Sequence, residues 1–154
     1  MIHLDKIEQN PIPIIRRFSG GGTVVVDMNT IFITFIFNQS DIPSVLPNPQ
    51  AILEWAKHVY QPPFRSLPFN LRENDFVFDH LKCGGNALYL IKDRWLLHTS
   101  WLWDYDKLWM EYLKNPKRQP DYRKQRPHED FLIPLKTHFS SKKELLDSFI
   151  TGLQ

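Results

Sequence analysis

The stretch Arg16-Arg17-Phe18-Ser19-Gly20-Gly21-Gly22-Thr23, which runs into the apolar residues Val24-Val25-Val26, is the most informative part of the chain. Consecutive glycines leave backbone N–H groups free to point at an anion, and a neighbouring guanidinium adds a charge that binds with two hydrogen bonds. A flexible hairpin loop is the alternative interpretation. The stretch predicts a strand–loop–strand segment whose backbone lies against a ligand.

A second segment, residues 74–87, reads NDFVFDHLKCGGNA and places a lysine beside a glycine pair. The pattern predicts a short strand, a turn that carries Lys82, and a second strand. A lysine in such a turn is a compact cation that binds phosphate oxygens as a point charge. An ordinary surface lysine is the alternative.

In this order the two segments resemble the lipoate–protein ligase A type of the biotin/lipoate ligase family. The first segment matches the family pattern from Arg16 to Asp27 and the second from Asn74 to Ala87, while a third, shorter match covers residues 98–103. The resemblance implies an α+β fold, a mostly antiparallel sheet packed with helices, related to the catalytic core of class II aminoacyl-tRNA synthetases and biotin ligases.

The resemblance also implies an activity. Enzymes of this family activate lipoate with ATP to give lipoyl-adenylate and pyrophosphate. They then pass the lipoyl group to a lysine on an acceptor domain of a 2-oxoacid dehydrogenase or on the H-type protein of glycine cleavage. Mg²⁺ is expected to accompany the ATP, and no separate metal site is expected.

The family's site residues map onto positions of this chain. Lys82 matches the catalytic lysine that contacts the acyl carbonyl and the phosphate, and Arg17 matches an arginine that binds nucleotide phosphate. Asn74 and Asp75 are expected near the phosphates and magnesium. The segment that lines the nucleotide corresponds to Gly20, Gly21, Gly22, Thr23, Val24 and Val25.

Two further polar residues have structural interpretations that compete with catalytic ones. His98, on an apolar strand, is predicted to be a packed, hydrogen-bonded core residue rather than a catalyst. Cys83 is next to the catalytic lysine, and related acyltransferases use a cysteine, but a small buried side chain is the favoured role.

The chain departs from the family pattern in several places. Val26 stands where the family has His, Leu88 where it has Gln, and residues 97–99 read LHT where it has His-His-Gly. Fifteen residues precede Arg16, whereas the family has a longer segment that forms the first strands and part of the lipoyl pocket. The expectation is one catalytic domain over residues 1–154 that is incomplete at its N-terminus. A misplaced start, a partner chain that supplies strands, and a degenerate copy remain as alternatives.

Three other functions stay open beside the ligase or lipoyltransferase. An octanoyltransferase has the same fold, and so does a biotin ligase, although the Gly-Arg-Gly-rich biotin signature is absent. A non-catalytic or truncated binding subunit is the alternative of a different class.

Composition limits the class of protein and the cellular location that can be expected. The 154 residues suit one domain with a real core. A net charge of +2 gives no argument for nucleic acid or an anionic membrane. The single cysteine excludes an internal disulfide, and no apolar run approaches the ~20 residues of a spanning helix. An intracellular protein is expected, with mitochondrial and cytoplasmic locations both open.

Periodicity and capping residues predict the elements. Helices are expected at residues 2–9, after the N-cap Asn48, around 105–113, and after the capping box Ser141 to Glu144. Residues 62–71 are expected to be a loop and 115–130 an exposed basic connection. Strands are expected at 12–17, 23–27, 30–37, 75–79, 86–92 and 94–103, with 23–27 and 30–37 buried on both faces in the centre of the sheet.

Overall fold

A computed structural model describes residues 2–114 and 119–153. In this part of the chain one antiparallel sheet forms the framework, in the order β1-β5-β4-β3-β2. The strands are β1 (Thr30–Asn38), β2 (Phe69–Arg72), β3 (Asp75–Phe78), β4 (Leu81–Ile91) and β5 (Arg94–Leu102). The predicted α+β class with a mostly antiparallel sheet is confirmed.

The helices begin where the capping residues predict. Asn48 accepts a hydrogen bond from the Ala51 N–H, and the Ser141 hydroxyl accepts one from Glu144 N–H. Among the described residues no helix is long and apolar enough to cross a membrane. The helices are α1 (Leu4–Gln9), α2 (Pro49–Tyr60), α3 (Lys107–Met110), α4 (His128–Phe131) and α5 (Lys142–Gly152), so α3 is shorter than expected.

Strand β1 is where it was predicted, but its setting is different. Within the described residues it pairs only with β5, so it lies at an edge of the sheet rather than at the centre. Its side chains alternate: Ile31 is buried whereas Phe32 and Ile36 are 42% and 63% exposed. A run of apolar residues misled the prediction, because apolar side chains on a sheet face that nothing covers give the same pattern as a doubly buried strand.

Two predicted strands, residues 12–17 and 23–27, are absent, and both segments are irregular. Pro11 and Pro13 lack the N–H that a strand ladder needs. The Arg17 guanidinium donates to the carbonyl oxygens of Gly20 and Gly22, which curls the chain back on itself. Conversely, β2 forms inside the segment that was expected to be a loop.

The core lies between one face of the sheet and helices α2 and α5. Trp101 is fully buried there, with its ring 5.2 Å from the ring of Phe76 and 5.3 Å from that of Phe149. Leu145 and Phe149 are the buried residues of α5. The rest of the predicted apolar face of that helix is partly in solvent, since Leu146, Ile150 and Leu153 are exposed.

A register shift between Phe76 and Val77 in the pairing of β3 with β4 corrects another prediction. Strand β4 begins at Leu81, so Lys82 lies within the strand and not in a turn. Val77 pairs with Lys82 and Phe76 with Gly84, which leaves Cys83 as the extra residue of a bulge. The bulge re-aims the side chains that precede the glycine pair.

Replacing Gly84 by alanine should destabilise the fold, because its β-carbon would lie 2.9 Å from Cε3 of the buried Trp101. We expect a loss of about 1–3 kcal/mol in the free energy of unfolding, measured by urea denaturation. Gly22→Ala is the matched control, since nothing lies within 4 Å of a β-carbon there. Equal stability of the two variants would contradict this packing.

Candidate functional site

The glycine segment lies along β4. Strand β3 pairs with β4 as far as Gly85, and beyond that point the edge of β4 is free for another partner. The Gly20 N–H occupies it by donating to the Leu88 carbonyl at 3.2 Å. The two segments singled out in the sequence, separated by some sixty residues, therefore meet on one strand.

Gly21 is the position where only glycine fits. Its φ of +110° is in the left-handed half of conformational space that side chains rarely adopt. A β-carbon there would lie 2.7 Å from Nη2 of Arg17 and 3.4 Å from the carbonyl oxygen of Asn86. The close approach of the segment to β4 thus depends on this glycine.

Arg17 organises the loop that contains these glycines. Its Nη2 donates to the Gly22 carbonyl at 2.6 Å and to the Gly20 carbonyl at 3.2 Å, and its Nε also reaches the latter at 3.3 Å. Because the guanidinium binds these carbonyls, its positive charge is held within the loop.

Lys82 lies on β4 close to the glycine segment, and an ion pair holds its side chain. Its Nζ lies 2.7 Å from Oδ1 of Asp75, on the adjacent strand β3. The ammonium sits over Gly85, because a β-carbon on that glycine would be 3.2 Å from Nζ. The side chains of Lys82 and Asp75 are 27% and 13% exposed, so the lysine reaches the solvent while its partner is largely enclosed.

The second oxygen of Asp75 has a partner that sequence reasoning missed. The Tyr122 hydroxyl donates to Asp75 Oδ2 at 2.9 Å, and the Tyr122 residue is 7% exposed. Asp75 was expected near phosphates and magnesium, but both of its oxygens are occupied in this structure. Among the described residues no group of three His, Cys, Asp or Glu side chains could hold a metal ion.

The segment that supplies Tyr122 was expected to be an exposed basic connection, and in its described part, from residue 119 onwards, it packs against the sheet. Arg123 is 4% exposed, with its guanidinium carbon 4.8 Å from the ring centre of Phe131. Arg126 donates to the carbonyls of His80 and Asp130. Residues 115–118, with the predicted exposed Lys117 and Arg118, lie outside the described residues. The sequence feature that could have indicated this packing is the pair of aromatic residues, Tyr122 and Phe131, within a charged run.

Two histidines of this region have a pKa that nearby positive charge helps to lower. Burial, and then the charge of Arg17, lowers the pKa of His98. Burial, followed by the charges of Arg123 and Lys82, lowers the pKa of His128. Positively charged side chains thus lie near both imidazoles, a setting that suits an anionic ligand.

The prediction that His98 is a core residue is wrong, although the predicted hydrogen bond is present. His98 lies half-buried on the sheet face opposite the helices, with Nδ1 2.6 Å from the Thr34 hydroxyl and its ring stacked on Phe32 at 4.4 Å. Cys83 is fully buried and its Sγ donates to the Phe76 carbonyl. Burial raises the pKa of this thiol, which disfavours the thiolate that a thioester route needs.

The remaining predicted positions are more peripheral. Asn74 is exposed in the turn before β3, where its carbonyl accepts from Asn86 Nδ2 at 3.0 Å. Thr23 and Val24 are exposed, while half-buried Val25 lines a small cavity beside Asp27 and Thr30 at the start of β1. The structure therefore brings together Lys82, Asp75, Arg17 and the glycines, and places residues 23–25 beyond them.

An apolar surface adjoins the glycine segment. Phe18 stands edge-on to Tyr89 with ring centres 5.1 Å apart. A cavity of about 210 Å³ lies next to this pair, on the sheet face that carries no helix. Its other lining residues are Ile36, Ile91, Arg94, Trp95 and Leu96.

The comparison with protein families settles what kind of domain this is. The lipoyl protein ligase A/B catalytic domain matches residues 1–149. The chain belongs to that family. A relative from Plasmodium falciparum, named inactive lipoate–protein ligase 2, is 28% identical over 84% of this chain and 42% of its own length.

Solved structures agree in fold. A bipartite lipoate protein ligase from Thermoplasma acidophilum, studied with its E2 lipoyl domain, superposes with a TM-score of 0.78 at 20% identity, over 98% of this chain and 60% of that one. A lipoate–protein ligase A bound with ATP gives a TM-score of 0.77 at 19% identity, over 98% and 61%. This chain thus spans well under two thirds of the proteins it resembles.

The proximity of Arg17 to His98 can be tested by titration. Replacing Arg17 by alanine removes a positive charge that opposes protonation of the imidazole, so the pKa of His98 should rise toward its usual value near 6.5. NMR titration of the histidine signals, assigned with His98→Gln, measures this.

Lys143→Ala is the control for the loss of one positive charge, because the Lys143 amine pairs with Asp147 on α5. It should leave the His98 titration where it is. An unchanged pKa in Arg17→Ala would show that the arginine does not approach the sheet in solution.

Proposed function

We propose that this chain is a catalytic domain that attaches lipoate to a protein lysine through lipoyl-adenylate. The observation that carries the proposal is the meeting of the two segments on β4, where the Lys82 ammonium lies over Gly85 and Gly21 lies against Asn86. A cation and a glycine loop at one place suit a reaction in which negative charge develops at that place.

In the first half-reaction a lipoate carboxylate oxygen attacks the α-phosphorus of ATP, and pyrophosphate leaves. In the second half-reaction the amine of the acceptor lysine attacks the acyl carbonyl, and AMP leaves. Negative charge gathers first on the phosphoryl oxygens and then on the carbonyl oxygen. Lys82 is the catalytic residue proposed to stabilise both, and losing such a fixed partner typically costs roughly 10²–10³ in rate.

The glycine segment would hold the nucleotide. Gly20, Gly21 and Gly22 allow the backbone to come close to the phosphates, with residues 23–25 further along the same path. Arg17 uses Nε and Nη2 to shape the loop. Its role toward phosphate would thus be shared between fixing the loop and adding charge.

The cavity bordered by Phe18 and Tyr89 supports an apolar acyl group as the second substrate. Mg²⁺ usually binds through one or two carboxylates together with substrate phosphates, and in this proposal it arrives with ATP. Asp75 is held by Lys82 and Tyr122, and Asn74 carries no charge, so neither of these two residues offers a free carboxylate to that ion.

We further propose that residues 1–154 form one such domain and that its acceptors are lipoyl domains of 2-oxoacid dehydrogenases or the H-type protein of glycine cleavage. The solved Thermoplasma ligase, studied with an E2 lipoyl domain, supports the first class of acceptor.

A non-catalytic binding module is the second candidate. The relative from Plasmodium falciparum whose name includes the word inactive favours it. So does the apolar sheet face, with Ile36 63% and Ile91 48% exposed, which a partner chain could cover. Such a module would bind lipoyl-adenylate or a partner without releasing pyrophosphate.

The deciding experiment combines calorimetric titration with lipoyl-adenylate and a pyrophosphate-release assay with ATP and lipoate. The proposed ligase should bind one lipoyl-adenylate and release pyrophosphate, and Lys82→Ala should reduce the release roughly 10²–10³-fold while the folded state persists. Lys92→Ala, in the exposed turn after β4, is the matched control and should behave as the parent chain.

Binding without pyrophosphate release would identify the binding module. A rate in Lys82→Ala equal to that of Lys92→Ala would remove Lys82 from the catalytic role.

A further inference from the structure

Asp75 holds Lys82 with one oxygen and Tyr122 with the other. In this structure the ammonium is committed to Asp75 Oδ1 at 2.7 Å, while the Tyr122 hydroxyl donates to Oδ2 at 2.9 Å. In the proposed reaction Lys82 turns from Asp75 toward the phosphoryl or acyl oxygen of the ligand. What happens to the carboxylate at that moment determines how easily the lysine moves.

We propose that Tyr122 is a positioning residue that weakens the hold of Asp75 on Lys82 and keeps the carboxylate partnered when the lysine turns to the ligand. This inference rests on the proposed function, because it explains how the proposed catalytic cation becomes available. Tyr122 belongs to a segment whose sequence predicts an exposed connection.

The argument begins with burial. The Asp75 side chain is 13% exposed, so a carboxylate deprived of Lys82 there cannot be solvated fully by water. Leaving a buried charge without a partner is strongly unfavourable, whereas a carboxylate that keeps a hydrogen bond retains part of its stabilisation. Tyr122 provides such a bond from within the protein.

The hydroxyl of Tyr122 is suited to remain a donor. Burial, and then the negative charge of Asp75, raises the pKa of Tyr122, so the proton stays on the phenol. The guanidinium of Arg72 lies over the same ring, 5.1 Å from its centre. This cation attracts the face of the ring and helps to hold its orientation.

The backbone of Tyr122 is fixed as well. Its N–H donates to Glu73 Oε1 at 3.3 Å, and its ring lies 5.2 Å from that of Phe131. The Arg126 guanidinium donates to the Tyr122 carbonyl at 3.2 Å. Because these contacts are made by the ring and backbone of Tyr122 itself, we expect the hydroxyl to stay in place when Lys82 leaves.

The charge on Asp75 is shared between its two partners. A carboxylate that accepts a hydrogen bond from Tyr122 attracts the ammonium less than a carboxylate that does not. Removing the hydroxyl should tighten the pair, and removing the carboxylate charge should release the lysine. These effects have opposite signs, while simple loosening of the structure would expose Lys82 in both cases.

The test uses limited acetylation by acetic anhydride, with peptide mapping to compare Lys82 with the exposed Lys92 as internal reference. Only the free amine reacts, so a more tightly held ammonium is labelled more slowly. In Asp75→Asn the relative rate at Lys82 should rise about fivefold or more, and in Tyr122→Phe it should fall by about fivefold, the change that one hydrogen bond typically produces.

Tyr112→Phe is the matched control, since Tyr112 stacks on Trp109 and takes no part in the Asp75 cluster. It should leave the labelling of Lys82 unchanged. If Asp75→Asn does not fold, Tyr122→Phe alone decides, because it keeps the ring contacts with Arg72 and Phe131. Labelling in Tyr122→Phe that is equal to or faster than in the parent chain overturns the inference.

A kinetic measurement then connects the pair to the reaction. Tyr122→Phe should lower kcat for pyrophosphate release about fivefold with the KM for ATP unchanged, because binding is intact and only the availability of the lysine has changed. Slow labelling with an unchanged kcat would overturn the positioning role. A parent chain that releases no pyrophosphate refutes the proposed function instead, and the labelling result still decides whether Tyr122 governs Lys82.

Discussion

The two glycines of β4 face opposite sides of the sheet, and each accepts a large neighbour that a side chain would exclude. On one side the indole of Trp101 lies against Gly84 at the centre of the aromatic core. On the other side the ammonium of Lys82 lies over Gly85. The core and the candidate site are thus separated by the thickness of a single strand. Packing of Trp101 against Gly84 fixes how closely β4 approaches the helices. The position of Lys82 on the opposite face of the sheet depends on the same packing.

The charges around that strand form a pattern that suits an anionic ligand. Burial and then the charge of Arg17 lower the pKa of His98, and burial followed by the charges of Arg123 and Lys82 lowers that of His128. Asp75 is the acidic residue that contacts Lys82 among the described residues, and it is enclosed between strand and lysine. A phosphate that enters can meet the partly exposed ammonium of Lys82, whereas the Asp75 carboxylate is already paired. This arrangement supports the proposed adenylation more directly than any one of the contacts does.

Much of the fold could be predicted because its signals are local. Asn48 and Ser141 cap their helices as the sequence indicates, and the strands from residue 75 to residue 102 follow from their alternation and their turns. The errors arise from contacts that the pattern of residue types does not reveal. Arg17 bends the glycine segment away from strand geometry by binding its carbonyls, and a bulge at Cys83 moves Lys82 from a turn into β4. The family motifs indicated Lys82 and the glycines, whereas Tyr122 could not be foreseen, since its partner Asp75 is 47 positions away along the chain.

Strand β1 joins the sheet through contacts that are remote in sequence. Thr34 bonds to His98, 64 positions later, whereas β2 to β5 are connected by short turns between neighbours. During synthesis the hairpins that follow can form as they emerge, but β1 has no strand to pair with until β5 exists. Such long-range pairing closes late and slowly. For that interval a nine-residue strand without a charged side chain is open along both edges, a condition that favours association with other nascent chains. The yield of native protein therefore depends on how quickly translation delivers residues 94–102.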